Sequence, residues 1–150
     1  MIAADQILAH LVGDYLLQSD WMAQEKTKRW SVALFHAFTY ALPFLFFRPS
    51  LGAFLVIWLS HALIDRYRLA RFVVYAKNFL APSGEWVPNT GRDPCVHGGQ
   101  EWVRWWFQWS YCSATGYSKD RPPFLAVWLL IIADNTLHLI CNGLALRFLP

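Results

Sequence analysis

Charge is the first thing this chain is short of. Lys, Arg, Asp and Glu make up 15% of its 150 residues and apolar residues 56%, where water-soluble domains average about 25% and about 45–50%. With a mean hydropathy of +0.26, that balance points away from a soluble domain and toward an integral membrane protein. Cysteine is also sparse. Cys95, Cys112 and Cys141 are odd in number and lack knuckle spacing, which excludes a complete disulfide framework and a cysteine-based zinc site. Cys95 and His97 form a C-x-H pair with no matching partners, so no metal is expected in that loop. The net charge of +3 is modest, and the basic residues lie in connections rather than in one groove-like run. No nucleic-acid partner is expected. There is no P-loop, nucleophile elbow, H-E-x-x-H or dinucleotide fingerprint. The first residues lack a basic n-region, and Gln6, His10 and Asp14 break their apolar run, so no cleavable signal peptide is expected.

What is present is aromatic and helical. The 9 Trp and the 17% aromatic content suit a chain with much surface at the headgroup level. The pattern predicts an all-α fold: an integral membrane four-helix bundle, one transmembrane domain over residues 1–150, with spans near 2–18, 31–47, 51–70 and 123–146. In the first span Gln6, His10, Gly13 and Asp14 share one side and apolar residues fill the rest, an amphipathic helix whose polar stripe faces protein. Residues 18–30 read as a polar connection containing Lys26, Lys28 and Arg29. Ser31 is placed to cap the second span and Pro43 to kink it. Arg48, Pro49 and Ser50 leave room only for an antiparallel hairpin into the third, which is expected to continue as helix to about Leu80. The stretch from Ala81 to Pro123 holds most of the Pro and Gly. Within this loop, 81–122, the tryptophan-rich Gln100–Tyr111 reads as an additional interfacial helix before the last span. That last span is long enough for a hydrocarbon core of about 30 Å. Lys and Arg in the connections put loops 18–30 and 71–122 in the cytoplasm and both termini outside.

Ionisable residues interrupt the spans in a pattern. His10 with Asp14, His61 with Asp65, and Asp134 with His138 each lie four apart, so each pair projects from one helix face. His36 stands in the second span. Ionisable groups at membrane depth are costly and face a bundle interior or a watery cavity. In the orientation above, Asp14, His36, His61 and Asp65 fall in the cytoplasmic half and Asp134 and His138 nearer mid-membrane. Imidazole nitrogen and carboxylate oxygen suit a divalent metal, zinc first, with manganese or iron as alternatives. Candidate ligands are His10, Asp14, His36, His61, Asp65, Asp134 and His138. They exceed one tetrahedral site, so some orient others or two ions bind. In a catalytic arrangement His10, His61 and His138 bind the metal with Asp14 and Asp65, and Asp134 or His36 serves as base or orienter. Arg68, one turn past Asp65, receives an anion or pairs with Asp65; Lys26 and Gln18 line the cytoplasmic mouth. Cys141 and Asn142 extend the stripe of Asp134 and His138 as small polar packing residues. The plainer alternative is that each pair is a hydrogen bond joining helices.

The stretch from His10 to Trp21 (His-Leu-Val-Gly-Asp-Tyr-Leu-Leu-Gln-Ser-Asp-Trp), followed by Lys26, resembles the H-x-x-G-D-[FY]-x-L-Q-x-D-W signature of domain-of-unknown-function family 3307. His36, His61-Ala-Leu-Ile-Asp65 and Asp134-Asn-Thr-Leu-His138 are similar to that family's pattern too. The likeness covers about the first 70 and the last 25 residues. It implies a small membrane protein of bacteria or their phages, in the inner (cytoplasmic) membrane, with no assigned activity. More distantly, the arrangement is similar to small membrane proteins described as metal-dependent hydrolases. The leading expectation is therefore metal-dependent hydrolysis of a lipid or other membrane-associated ester. Divalent metal transport or binding is the first alternative, disfavoured by the few polar residues of the outer half, Asp5 and Gln6. A non-catalytic phage or bacterial membrane protein acting on a host partner is the second. Membrane lipids are the expected partners; short helices that bury little are compatible with a homodimer, and the sequence does not fix the oligomeric state.

Overall fold

The computed structural model describes residues 3–78, 80, 109, 112–117 and 121–149. Among them the fold is all-α, without strands: α1 (Ala3–Leu11), a π-helical turn (Val12–Leu16), α2 (Asp20–Glu25), α3 (Trp30–Ala41), a 3-10 segment (Leu42–Phe47), α4 (Leu51–Tyr67), α5 (Ala70–Asn78) and α6 (Pro123–Phe148). The chain forms two units, Met1–Leu69 with Asp134–Pro150, and Ala70–Ala133. α6 contributes residues to both.

In the first unit α3 and α4 are the most extensively packed pair. α3 buries Val32, Ala33, His36, Ala37, Tyr40 and Ala41, the one-sided set that a period of 3.6 generates. Three of these are alanines four apart, and small side chains let helix backbones approach closely. α4 answers with Ala53, Ile57, His61, Ala62, Ile64 and Asp65, and the Trp58 indole donates to the Leu34 carbonyl at 2.9 Å. Pro43 has no N–H to give to the helix, and from Leu42 the chain tightens into the 3-10 segment, ending at Arg48 in the left-handed region (φ 49°). Ser50 then starts α4: its hydroxyl accepts from the Ala53 N–H at 3.1 Å and donates to the Leu149 carbonyl at 2.6 Å. Tyr40, Phe44 and Ile57, fully buried, form the apolar core with Ala9, Ala41, Ala53 and Ala145.

After α1 the chain bulges into a π turn, closed by Leu17 N–H to the Val12 carbonyl at 3.0 Å. Gly13 makes the bulge fit. A Cβ there would lie 2.6 Å from Tyr40 Cδ2 and 2.8 Å from the Tyr40 carbonyl oxygen, so this turn rests directly on the α3 backbone. The bulge aims the next residue, Asp14, into the bundle, where it is 7% exposed. Such bulges are frequent at functional sites.

Several expectations need correction. Residues 18–30 are not a plain connection: they contain α2, capped by the Ser19 hydroxyl, which accepts from Met22 N–H at 3.3 Å. α3 begins at Trp30, ahead of Ser31, behind an extended Arg29 that gives no side-chain cap. The third helix does not run on to Leu80 or even to residue 70. It stops at Tyr67, where Leu69 N–H bonds to the Ile64 carbonyl at 3.0 Å and Arg68 N–H to that of Asp65 at 3.2 Å, with Arg68 left-handed at φ 51°. This is a Schellman closure, unsignalled because arginine takes the place usually held by glycine.

In the second unit Val74 of α5 packs with Tyr117 and Ala126, flanked by Leu129, Leu130 and Ala133. Gly116, at φ 85°, sits against the Arg71 carbonyl where no side chain fits. Apart from Trp109, the expected interfacial helix 100–111 lies outside the described residues, as do Cys95, His97 and most of the loop 81–122.

Two helical stretches among the described residues are long and apolar enough to cross a membrane, Trp30–Phe47 and Pro123–Phe148. α4, 17 residues long, reaches about 26 Å against a core of about 30 Å. The nine residues of α1 are shorter still.

Candidate metal centre

Four elements of the first unit deliver side chains to one buried point. The π turn brings Asp14, α3 brings His36, α4 brings His61 and Asp65, and α6 brings Asp134 and His138 alongside. His36 and His61 are fully buried, His138 is 1% exposed and Asp65 5%. His61 and Asp65 share the inward face of α4 because they are one turn apart, as do Asp134 and His138 on α6.

The centre of the cluster is tight. His36 Nε2 lies 3.0 Å from His61 Nε2, 3.3 Å from Asp14 Oδ1 and 3.2 Å from Asp65 Oδ2. His61 Nε2 lies 3.4 Å from Asp14 Oδ1 and 3.1 Å from Asp65 Oδ2. A second group adjoins it: His138 Nε2 is 3.3 Å from Asp134 Oδ2 and 3.6 Å from Asp65 Oδ1. The donor atoms in each group lie within 4.8 Å of one another. Lys26, carried in at the end of α2, sets its ammonium 2.8 Å from Asp65 Oδ2 and 3.3 Å from His36 Nε2, and donates to Gln18 Oε1 at 2.7 Å.

Two observations test whether a divalent ion fits. For zinc bonded to nitrogen or oxygen at about 2.0–2.1 Å, a tetrahedron has edges of about 3.3 Å. Five of the six edges among Asp14, His36, His61 and Asp65 measure 3.0–3.4 Å. The second observation is charge. With the imidazoles neutral, as metal ligands are, the described residues set one ammonium, Lys26 on Asp65, against the carboxylates of Asp14, Asp65 and Asp134. Two negative charges remain where burial is expensive, and one dication balances them. Against the fit, Nδ1 of both His36 and His61 is buried without a hydrogen-bond partner, whereas metal-bound histidines usually donate from the second nitrogen. Ring packing holds them instead: His61 stacks on Tyr40 at 3.6 Å and on His138 at 4.1 Å. The residues present could hold a divalent ion.

The sequence expectations meet this geometry unevenly. His36, expected as base or orienter, sits at the centre. His10, expected as a ligand, stands aside, its Nδ1 2.8 Å from the Tyr40 hydroxyl and 3.7 Å from Asp14 Oδ2. Gln18 and Lys26 are both drawn in. Arg68 is not: the helix ends before it and leaves it exposed, and the cation on Asp65 is Lys26. Tyr40 was not singled out as a site residue, yet its hydroxyl joins His10 to Asn142, whose amide donates to it at 2.6 Å. Its position four residues after His36 was the available signal. Asn142, expected merely to pack, is 1% exposed and part of this network.

Fold and site together define a helical protein with a buried histidine–aspartate cluster. Its family is shown by a match over residues 2–81: the chain belongs to the family described as Protein of unknown function (DUF3307). The matched stretch includes Asp14, Lys26, His36, His61 and Asp65; Asp134 and His138 lie beyond it. No curated protein and no solved structure matches the chain.

Proposed function

We propose that this chain is a membrane-embedded divalent-metal protein that hydrolyses a membrane-associated ester. The observation that carries the reading is the centre itself, four buried donor atoms from three elements at the spacing of a tetrahedron. Its setting supports the membrane. The polar groups are inside, while Leu16, Phe46 and Leu51 are 76%, 90% and 75% exposed. Only 11% of the most apolar stretch of α6 is buried, a pattern that suits lipid rather than water. In this reading α1 with its π turn, α3 with its 3-10 segment, α4 and α6 form a four-span bundle in a bacterial inner membrane. The connection bearing Lys26, Lys28 and Arg29 then faces the cytoplasm.

Zinc, or manganese or iron in its place, would supply Lewis acidity and an acidified water. Asp14, His36 and His61 would hold it. Asp65 would join them through the Oδ2 that also meets the Lys26 ammonium at 2.8 Å. His10 would be the base for water at the centre: its Nδ1 lies 2.8 Å from the Tyr40 hydroxyl and 3.7 Å from Asp14 Oδ2. Lys26, held by Gln18, receives the anionic group of the substrate. A closed four-donor set also suits an ion in transit, but transit needs polar groups toward the other end, where the sequence offers only Asp5 and Gln6.

In vesicles, the metal-loaded protein is expected to hydrolyse a phospholipid or a lipid carboxylester, and the chelated protein is not. His10→Gln is expected to lower the rate at least about 100-fold, the usual contribution of a general base, with the metal retained. Loss of the metal from His10→Gln, or no hydrolysis by the loaded wild type, would contradict the proposal.

A further inference from the structure

We infer that the centre takes two divalent ions, with Asp65 as the bridge, and that the ester is a phosphoester. The inference rests on the metal-centre reading above and extends it. Asp65 has its two oxygens facing different donor sets. Oδ2 meets His36 and His61 at 3.2 and 3.1 Å, while Oδ1 meets His138 at 3.6 Å. A carboxylate used through both oxygens suits ions about 3.5–4 Å apart, the separation of two-metal sites.

The second donor set is Asp65 Oδ1, Asp134 Oδ2 and His138 Nε2. Asp134 and His138 present themselves from one face of α6, 3.3 Å apart. His138 Nε2 is buried and directed at both carboxylates, 3.3 Å from Asp134 Oδ2 and 3.6 Å from Asp65 Oδ1. Asp134, with 28% of its side chain exposed, is the outermost ligand and marks the side from which the second ion enters.

Charge then selects the substrate. One dication balances the two residual negative charges of the cluster; a second leaves two positive charges in a buried site. A bound phosphoester supplies negative charge there and offers oxygens to both ions, as in two-metal phosphoryl chemistry, whereas a neutral carboxylester does not. Lys26, held by Gln18 at 2.7 Å, lies beside the first donor set.

Manganese titration of the full chain in detergent, with paramagnetic resonance as the readout, tests this. The wild type is expected to bind two ions per chain with an exchange-coupled spectrum. Asp134→Asn, a near-isosteric change at a partly exposed position, is expected to bind one, with an isolated six-line spectrum. One ion per chain in the wild type would overturn the second site and leave the first standing; none would overturn both. Two coupled ions in Asp134→Asn would overturn the assignment of Asp134. Should that variant fail to fold, the wild-type count decides by itself. Inorganic phosphate is expected to alter the coupled signal, and an unchanged signal would overturn the phosphoester assignment.

Discussion

Asp65→Ala is expected to empty the metal centre and to destabilise the protein by about 3–5 kcal/mol, the usual cost of breaking a buried ion pair. Asp65 stands within 3.6 Å of His36, His61, His138 and Lys26. Its loss removes an oxygen from both donor groups and leaves the Lys26 ammonium without its carboxylate. Metal content and the denaturation midpoint in detergent are the two readouts, and both should fall. Glu25→Ala is the control. Glu25 pairs with Lys28 at 2.8 Å on the surface, where the ammonium holds its carboxyl below the usual range, and removing an exposed pair should shift neither. An Asp65→Ala protein as stable as the wild type would show that the cluster is not a coupled buried network.

Gly13→Val is expected to cost about 3 kcal/mol or more, the upper part of the range for overpacking. The new Cβ would meet the Tyr40 carbonyl at 2.8 Å and Tyr40 Cα at 3.1 Å, which are backbone atoms that no rotamer change can move. The π turn must therefore lift away from α3, and Asp14 leaves His36 and His61 with it. Metal binding is expected to weaken together with stability. Gly52 gives the comparison: a Cβ there meets only the Ser50 hydroxyl oxygen at 3.7 Å. Gly52→Ala should be neutral or stabilising by about 0.5–1 kcal/mol through helix propensity. Equal melting curves for Gly13→Val and the wild type would refute the close approach of the π turn to α3.

What could be read from the chain follows from periodicity. A spacing of four places two side chains on one helix face whatever the tertiary structure, so the pairs His61–Asp65 and Asp134–His138 were visible as pairs. Which pairs meet is decided by rotation and depth between helices. Those depend on Gly13 and on the alanines 33, 37 and 41, and neither carries a chemical signal. That is why His36 rather than His10 came to the centre. Lys26 reaches Asp65 because α2 folds back, and six residues are too few to show helical periodicity. Arg68 was misplaced because a left-handed arginine ended α4 where the sequence offered no glycine. Tyr40 shares a face with His36 by spacing, but nothing in the sequence marks it off from the other aromatics of its helix, and it is core as well as a hydrogen-bond partner of His10.

The most direct test of the account is X-ray absorption at the zinc edge on the zinc-loaded chain purified in detergent. The expected result is retained zinc bound by nitrogen and oxygen at about 2.0–2.1 Å, with the outer-shell scattering of imidazoles and no sulfur. A chain that retains no zinc after loading, or one whose zinc shows sulfur at about 2.3 Å, would contradict a His/Asp metal centre and leave the buried pairs as the links that hold the helices together.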